Sequence, residues 1–363
     1  MSNTYTRIVL HERPVSDIVP DTFEVKTASK DDLKPGLGQV LVQVTYVSLD
    51  PAMRGWLRDT RSYLPPVQIG EVMRAVGLGV VVQAGEGSKF KAGDIVSGSV
   101  GWSEYVVMDS KKLQKIVPPP GTTSLDFLNT FGIPGMTAYF GLYDIGKLKQ
   151  GETLLVSGAA GAVGSLVCQL GKRTGARVIA IAGSPEKCAW LENELGVDKA
   201  INYKMPTFKE DLKKGVGYLD VYFDNVGGEI LDLALARLNK HARIVLCGAI
   251  SAYNSERPRG LQNYMNLIAQ RAKMEGFIVS GIIIPLLVLT DSLEYRFDYT
   301  SEYPRAINEM ATGLADGSIK RKFHIVEGLE NAPTALPMLY SGANDGKLIV
   351  KVSDDPQIGP SKL

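Results

Sequence analysis

The sequence predicts an α/β protein, with a β-rich domain joined to a doubly wound parallel sheet. Two observations carry that reading. In the first third of the chain, apolar and polar residues alternate with the two-residue period of half-buried strands. From about residue 129, short apolar strands alternate with helical stretches, the pattern of a parallel sheet covered on both faces. A chain of 363 residues has material for two cores.

The β-rich part spans residues 1–128. "QVLVQVTYVSL" (39–49) alternates as a strand should, and "GLGVVVQAGEGSKFKAGDIVSG" (77–98) reads as strand, turn, strand. "GWSEYVVMD" (101–109) supplies another strand, and "KIVPPPG" (115–121) is a stiff break at the domain margin. Residues 129–310 form the second domain. "TLLVSG" (153–158) is an apolar strand entering a glycine turn. Val163, Leu166, Val167 and Leu170 then fall at i, i+3, i+4 and i+7, one face of a helix. "ARVIAIAG" is the next strand. Ser184 is a good N-cap for the helix after it, with Pro185 at its first position and Gly196 as its stop. "KAINY", "LDVYFDNVGG", "ARIVLCGA" and "KMEGFIVSG" supply further strands. Residues 311–363 return to helix plus strand and are expected to rejoin the first domain.

Composition narrows the function classes. Apolar residues make 45% of the chain, charged residues 22%, and the formal net charge is +1. Nothing there attracts nucleic acid or an anionic membrane. The N-terminus lacks the apolar core of a signal peptide, and the apolar run Ile282–Leu289 is too short to span a bilayer and is broken by Pro285. Cys168, Cys188 and Cys247 have neither pairing nor metal-ligand spacing, so a reduced, cytoplasmic setting is expected.

"GAAGAVG" (158–164) is the glycine-rich turn of a dinucleotide (Rossmann) site. Gly161 lets the backbone approach a pyrophosphate, Gly164 allows close helix–strand packing, and the helix N-terminus offers free N–H groups. Ala159 stands where the usual pattern has its first glycine. About twenty residues on, such folds place a carboxylate for the ribose 2′-hydroxyl. Here the strand ends Ile181-Ala182-Gly183-Ser184, and Lys187 follows. A lysine without a carboxylate suits a 2′-phosphate, so NADPH/NADP+ is the expected cofactor. Tyr203 could flank the adenine or the phosphate.

A β-rich domain, a nucleotide domain and a C-terminal return suggest the medium-chain dehydrogenase/reductase architecture. Its alcohol dehydrogenases hold zinc with Cys and His. This chain has only His11, His241 and His324, and no cysteine before residue 168. No metal site is expected. Reduction of a conjugated C=C suits such a site: hydride goes to the β-carbon, and the enolate needs only a hydrogen-bond donor.

"SLDPAMRGWL", "SYLPPVQIGEVMRAVGLG", "GWSEY", "GIPGMTAYFGLYDIGKLKQGETLLVSGAAGAVGS", "AGSPEKCAWL", "DVYFDNVGGEILD", "CGAISAYN" and "KMEGFIVS" resemble the zinc-independent leukotriene B4 12-hydroxydehydrogenase / prostaglandin reductase / 2-alkenal double-bond reductase family. The resemblance spans nearly the whole chain. It implies a GroES-like catalytic domain beside the Rossmann domain, NADPH dependence, a homodimer, and small-molecule enone or enal substrates.

The same resemblance implies residue roles. Met136 and Thr137 fall near the nicotinamide, and Ala160, Gly161, Ala162 and Val163 at the pyrophosphate. Gly183 and Lys187 fall at the 2′-phosphate, with Tyr203 beside it. Asn225 lies along the cofactor, flanked by Cys247, Ala249, Ile250 and Ser251. Phe277 and Val279 continue the cofactor wall, and Asn344 closes on it from the C-terminal piece. Ala52 departs from the family, which often carries tyrosine there, and "PLLVLTDSLEYRFDYTSEYP" (285–304) is longer than expected.

Tyr253 is the candidate donor to the substrate oxygen. A phenol stays protonated at neutral pH, with a reference pKa of about 10. Its alternative role is to pack on the cofactor, with water supplying the proton. Arg54 and Tyr63 could face substrate from the first domain, although Arg54 also reads as a structural arginine and Asp50 as a turn former. Cys247 reads as a small residue beside the cofactor, not a nucleophile. The expected activity is NADPH-dependent reduction of enones and enals. Competing readings are a quinone oxidoreductase of the same fold, secondary-alcohol dehydrogenation, or a non-catalytic NADPH-binding protein.

Overall fold

The computed structural model describes residues 3–257, 259–279 and 302–355. The apolar run Ile282–Leu289 and residues 285–301 of the long stretch lie outside the described residues.

The chain opens with β1 (Thr4–Leu10) and β2 (Phe23–Ser29), an antiparallel pair. β3 (Gln39–Ser48) is the spine of a seven-stranded sheet. It alternates buried and part-exposed residues as far as Gln43 and is buried throughout after that, where strands and core cover both faces. The short helix α1 (Met53–Trp56) leads to β4 (Gly77–Ala84), β5 (Ile95–Gly98), β6 (Tyr105–Asp109) and β7 (Gln114–Lys115). β4 and β6 both pair with β3.

α2 (Ile133–Phe140) runs directly into one π turn, Gly141–Ile145. The alternating unit follows: β8 (Thr153–Val156), α3 (Ala162–Arg173), β9 (Arg177–Ala182), α4 (Pro185–Asn193), β10 (Lys199–Asn202) and α5 (Phe208–Val216). It continues through β11 (Leu219–Asp224), α6 (Gly228–Leu235), β12 (Leu238–Leu246), α7 (Asn266–Ala269) and β13 (Lys273–Gly276). The six strands are parallel, in the order β10-β9-β8-β11-β12-β13. The order reverses between β8 and β11, which opens a crevice at the carboxyl ends of those strands.

The period of two sorts each parallel strand between two cores. Leu154, Val156, Val178 and Ala180 join Leu166, Val167 and Leu170 of α3 on one face. Leu155, Ile179, Ile181 and Tyr222 join Leu212 of α5 on the other. Burying a leucine-sized side chain stabilises by roughly 1.5–3 kcal/mol, so the apolar runs read from the sequence hold this layer together. α4 starts as expected: the Lys187 N–H donates to the Ser184 hydroxyl at 3.3 Å. Its last regular residue is Asn193, and Gly196 closes the end as expected: at φ 67° it lets Val197 N–H reach back to Leu191 O at 3.2 Å.

α8 (Tyr303–Ala315) packs on α2, with Tyr303 stacked on Phe140. β14 (Phe323–Glu327), α9 (Ala332–Ala335), α10 (Met338–Ser341) and β15 (Lys347–Lys351) end the described chain. β15 pairs antiparallel with β3 and parallel with β14, so the last strands complete the first sheet. Among the described residues no helix is long and apolar enough to cross a membrane.

Candidate active site

The crevice is built first by the turn after β8. Gly158 takes the left-handed conformation (φ 57°) that this sharp exit needs. Ala159, one residue later, is fully buried and its N–H donates to Ile181 O at 2.9 Å. Alanine therefore costs nothing at that position. A Cβ at Gly164 would overlap the Gly158 carbonyl, so the helix can sit this close only with glycine there. A Cβ at Gly161 would meet only Gly158 O, at 3.2 Å, with open space otherwise. α3 begins at Ala162, and the first-turn N–H groups of Ala162, Val163 and Gly164 face the open side without intrahelical acceptors. Backbone donors, a helix dipole and a missing side chain together make a cradle that fits a pyrophosphate.

At the end of β9, Gly183 lies against Tyr203, the neighbour expected beside it. A Cβ there would lie 2.9 Å from Tyr203 Cε1, so the space is taken by the tyrosine ring. Lys187 does not extend freely either. Its ammonium donates to Gly342 O at 2.8 Å and Asn344 O at 2.7 Å, tying α4 to the loop before β15. Burial pulls its pKa down, Asp345 opposes that, and Lys204 and Lys322 add to it. Lys322 itself pairs with Asp345, and one Lys187 donor is left over. Asn344 turns its amide to Gly346 O at 2.8 Å.

The central strands are tied beneath the crevice. Asp224, fully buried at the end of β11, accepts from Ser157 Oγ (2.8 Å), Tyr222 OH (2.6 Å) and the N–H groups of Val226 and Gly227. Asn225 donates its side-chain amide to Ser157 O at 2.7 Å. Met136 is fully buried on α2, with Thr137 part-exposed beside it. Cys247 follows β12. Burial and the Asp224 charge push its thiol up to about 12, so it stays protonated and is no nucleophile.

The turn after β12 docks on the Asn225 loop. Ile250 N–H reaches Asn225 O, and both the N–H and hydroxyl of Ser251 reach Val226 O. Within this turn the Ala249 N–H donates to the Tyr253 hydroxyl at 3.3 Å. Burial raises the Tyr253 pKa, with Tyr63 of the other lobe contributing. Tyr63 itself accepts from Trp56 Nε1 at 3.2 Å. The two phenols, one from each lobe, are thus held by local N–H donors. Each accepts a local N–H and keeps its own O–H to donate.

One expected residue is placed elsewhere. Arg54 does not face substrate: its side chain is 0% exposed and donates to Pro14 O, Val15 O, Ser16 O and Asn254 Oδ1. An arginine with backbone acceptors at hand is worth more buried there than loose in a cleft. Phe277 packs edge-on to Phe223 and against Gly141 of the π turn, and Val279 is buried in the same core.

Sequence reasoning missed two cations. Lys347 is buried under the Asp50 turn, and Arg58 reaches across to the Tyr253 turn. A lysine opening the apolar strand "KLIVK" was the available signal for the first; nothing local marks the second. Among the described residues, no group of three or more His, Cys, Asp or Glu could hold a metal ion.

Two family models match the chain: one described as the N-terminal domain of oxidoreductase over residues 6–116, the other as zinc-binding dehydrogenase over residues 162–288. An NADPH-dependent curcumin reductase of Escherichia coli is 38% identical over 96% of this chain and 97% of its own. An NADP+-dependent 2-alkenal reductase of Nicotiana tabacum is 37% identical over 91% of this chain and 92% of its own. The structure of CurA in complex with NADPH from Vibrio vulnificus superimposes with a TM-score of 0.86 at 38% identity. It covers 96% of this chain and all of that one.

Proposed function

From the premise that this chain belongs to the zinc-independent medium-chain dehydrogenase/reductase family, we propose that it reduces the conjugated C=C bond of α,β-unsaturated ketones and aldehydes. It is an NADPH-dependent oxidoreductase of that family. The cradle at Gly161 with the α3 N-terminus fits the pyrophosphate, and Lys187 with its neighbouring lysines fits a 2′-phosphate. When bound, the nicotinamide supplies the hydride for the β-carbon.

One observation supports the finer reading: the Tyr253 hydroxyl accepts the Ala249 N–H and, with burial raising its pKa, keeps its own proton to donate. A neutral phenol there donates to the carbonyl oxygen as enolate charge develops, and needs no prior activation. Tyr63 holds or orients the same oxygen from the other lobe. The α-carbon then takes its proton from Tyr253 or water.

The test is NADPH oxidation over a panel of enals, enones, curcuminoids and quinones, run anaerobically with product identification. Saturated ketones or aldehydes support the reading. Hydroquinones alone would make the protein a quinone oxidoreductase. Tight NADPH binding with no turnover of any substrate would make it a non-catalytic binder.

A further inference from the structure

Residues 253–255 form an unusual stretch of the nucleotide-fold lobe, since the opposite lobe grips each of them in turn. Arg58 Nη2 donates to Tyr253 O at 2.7 Å and to Ser255 O at 3.2 Å. Between them, the Asn254 amide accepts from Arg54 Nε at 3.1 Å and donates to Asp17 Oδ1 at 2.8 Å. Arg54 lies on α1 and Arg58 two residues past its end, where Arg58 N–H still reaches Gly55 O, so one short segment delivers both guanidinium groups. The two arginines differ in what else they do. Arg54 is fully buried and satisfies three carbonyls of its own lobe. The Arg58 side chain is part-exposed, and among the described residues its hydrogen bonds go only to Tyr253 O and Ser255 O.

We propose that Arg58 is a positioning residue for Tyr253, holding the phenol in line only while the two lobes are closed on each other. The proposal rests on Tyr253 acting as the donor described above. The tyrosine hydroxyl is fixed locally by the Ala249 N–H, and its main chain by a guanidinium from across the crevice. Those two restraints bracket the side chain at both ends. The turn is anchored at its start, by Ile250 N–H to Asn225 O and Ser251 to Val226 O. Beyond Ala252, among the described residues, its own main-chain bonds are only Tyr253 N–H to Ile250 O and Ser255 N–H to Ala252 O, and the 3₁₀ turn from Ile250 to Ala252 has no side-chain cap. A bond from a planar guanidinium to adjacent carbonyls is directional, so parting the lobes by a few ångströms breaks it outright. The donor is thereby set at the moment the crevice closes, and it relaxes on opening, when product leaves. Arg54 secures the lobe that carries α1, and Arg58 transmits its position to the reacting group.

The test uses the full-length protein with NADPH and benzylideneacetone as probe enone. Arg58→Ala, Arg58→Lys, Tyr253→Phe and the double variant Arg58→Ala/Tyr253→Phe are compared. For Arg58→Ala, kcat is expected to fall on the order of 10- to 100-fold, the usual consequence of misplacing a catalytic group by about an ångström. The melting temperature and NADPH affinity should stay near those of the parent. Amide hydrogen exchange across residues 249–255 should accelerate in Arg58→Ala and slow again in Arg58→Lys, which restores a cationic donor. In the Tyr253→Phe background, Arg58→Ala should cost nothing further. Additive kinetic losses, or unchanged exchange in the turn, would overturn the proposal. Full turnover by Tyr253→Phe together with faster exchange in Arg58→Ala removes the donor role of Tyr253 and leaves Arg58 as the clamp of this turn.

Discussion

Lys347 donates to Asp50 Oδ1 at 2.6 Å from a side chain only 2% exposed, and so pins the last strand to the turn after β3. Its other two donors go to Ser48 Oγ at 2.6 Å and Leu49 O at 3.0 Å, which satisfies the ammonium completely. Asp50 also accepts from Ser48 Oγ. Removing either partner has unequal consequences, because Asp50 is 24% exposed and can be solvated while Lys347 cannot. Asp50→Ala should therefore cost about 3–5 kcal/mol, the effect of stranding a buried charge. Lys347→Met should cost less. Urea unfolding of the two variants gives the order directly, and a larger loss in Lys347→Met would contradict the argument.

The glycine turn separates stability from cofactor binding. Gly164→Ala forces the helix off the Gly158 carbonyl and should lower both stability and NADPH affinity. Gly161→Ala meets one oxygen at 3.2 Å and otherwise projects into the cradle. Its stability should stay within about 0.5 kcal/mol of the parent, while the dissociation constant for NADPH rises. Thermal melts and fluorescence titration read the two effects apart. Equal affinity in Gly161→Ala would mean that the cofactor does not approach this backbone.

Lys187 holds the carbonyls of Gly342 and Asn344, and in the proposed site it would also meet the 2′-phosphate. Loss of a charged hydrogen bond is worth about 1.5–3 kcal/mol, so Lys187→Ala should lower kcat/KM for NADPH roughly 10- to 100-fold. NADH has no phosphate for the lysine to meet and feels only the loosened loop. The NADPH-to-NADH preference should therefore shrink in steady-state assays. A parallel fall with both cofactors would restrict Lys187 to the structural tie.

Tyr253→Phe should reduce turnover about 100- to 1000-fold, the usual effect of deleting one donor at a developing oxyanion. The neutral phenol is the active form, and burial raises its pKa. Its activity is thus present at low and neutral pH and is lost only as pH rises through that elevated value. The alkaline limb of kcat should lie above the ordinary phenol value of about 10, and the limb should vanish in Tyr253→Phe. A limb below that value, or one kept in the variant, assigns the titration to another group.

Much of the nucleotide-fold lobe was legible because its signals are local. The run "TLLVSG" enters Gly158, the helix face Leu166-Val167-Leu170 is buried as its spacing predicts, and Ser184 caps α4 over Pro185. Gly196 also ends α4 as its type predicts, with a positive φ of 67° that lets Val197 N–H close onto Leu191 O. In the candidate site, Tyr253 was read as the donor and Tyr63 as a residue of the other domain facing the cleft; the fold gives each phenol a local N–H to accept. Arg54 was not legible. Its type and its position on α1 fit either a cleft or a core.

From its residues alone, the chain determined the alternation of strands and helices, the glycine turn, the caps, and the lysine where a carboxylate usually stands. Each of these depends on neighbours a few positions away, whose spacing is written in the sequence. Only the tertiary structure decided where Arg54, Arg58, Lys187 and Lys347 go. Most of their acceptors are main-chain carbonyls, contributed by residues some 40 to 300 positions away. Every residue carries the same carbonyl, so no side-chain pattern can announce which one a distant cation will find.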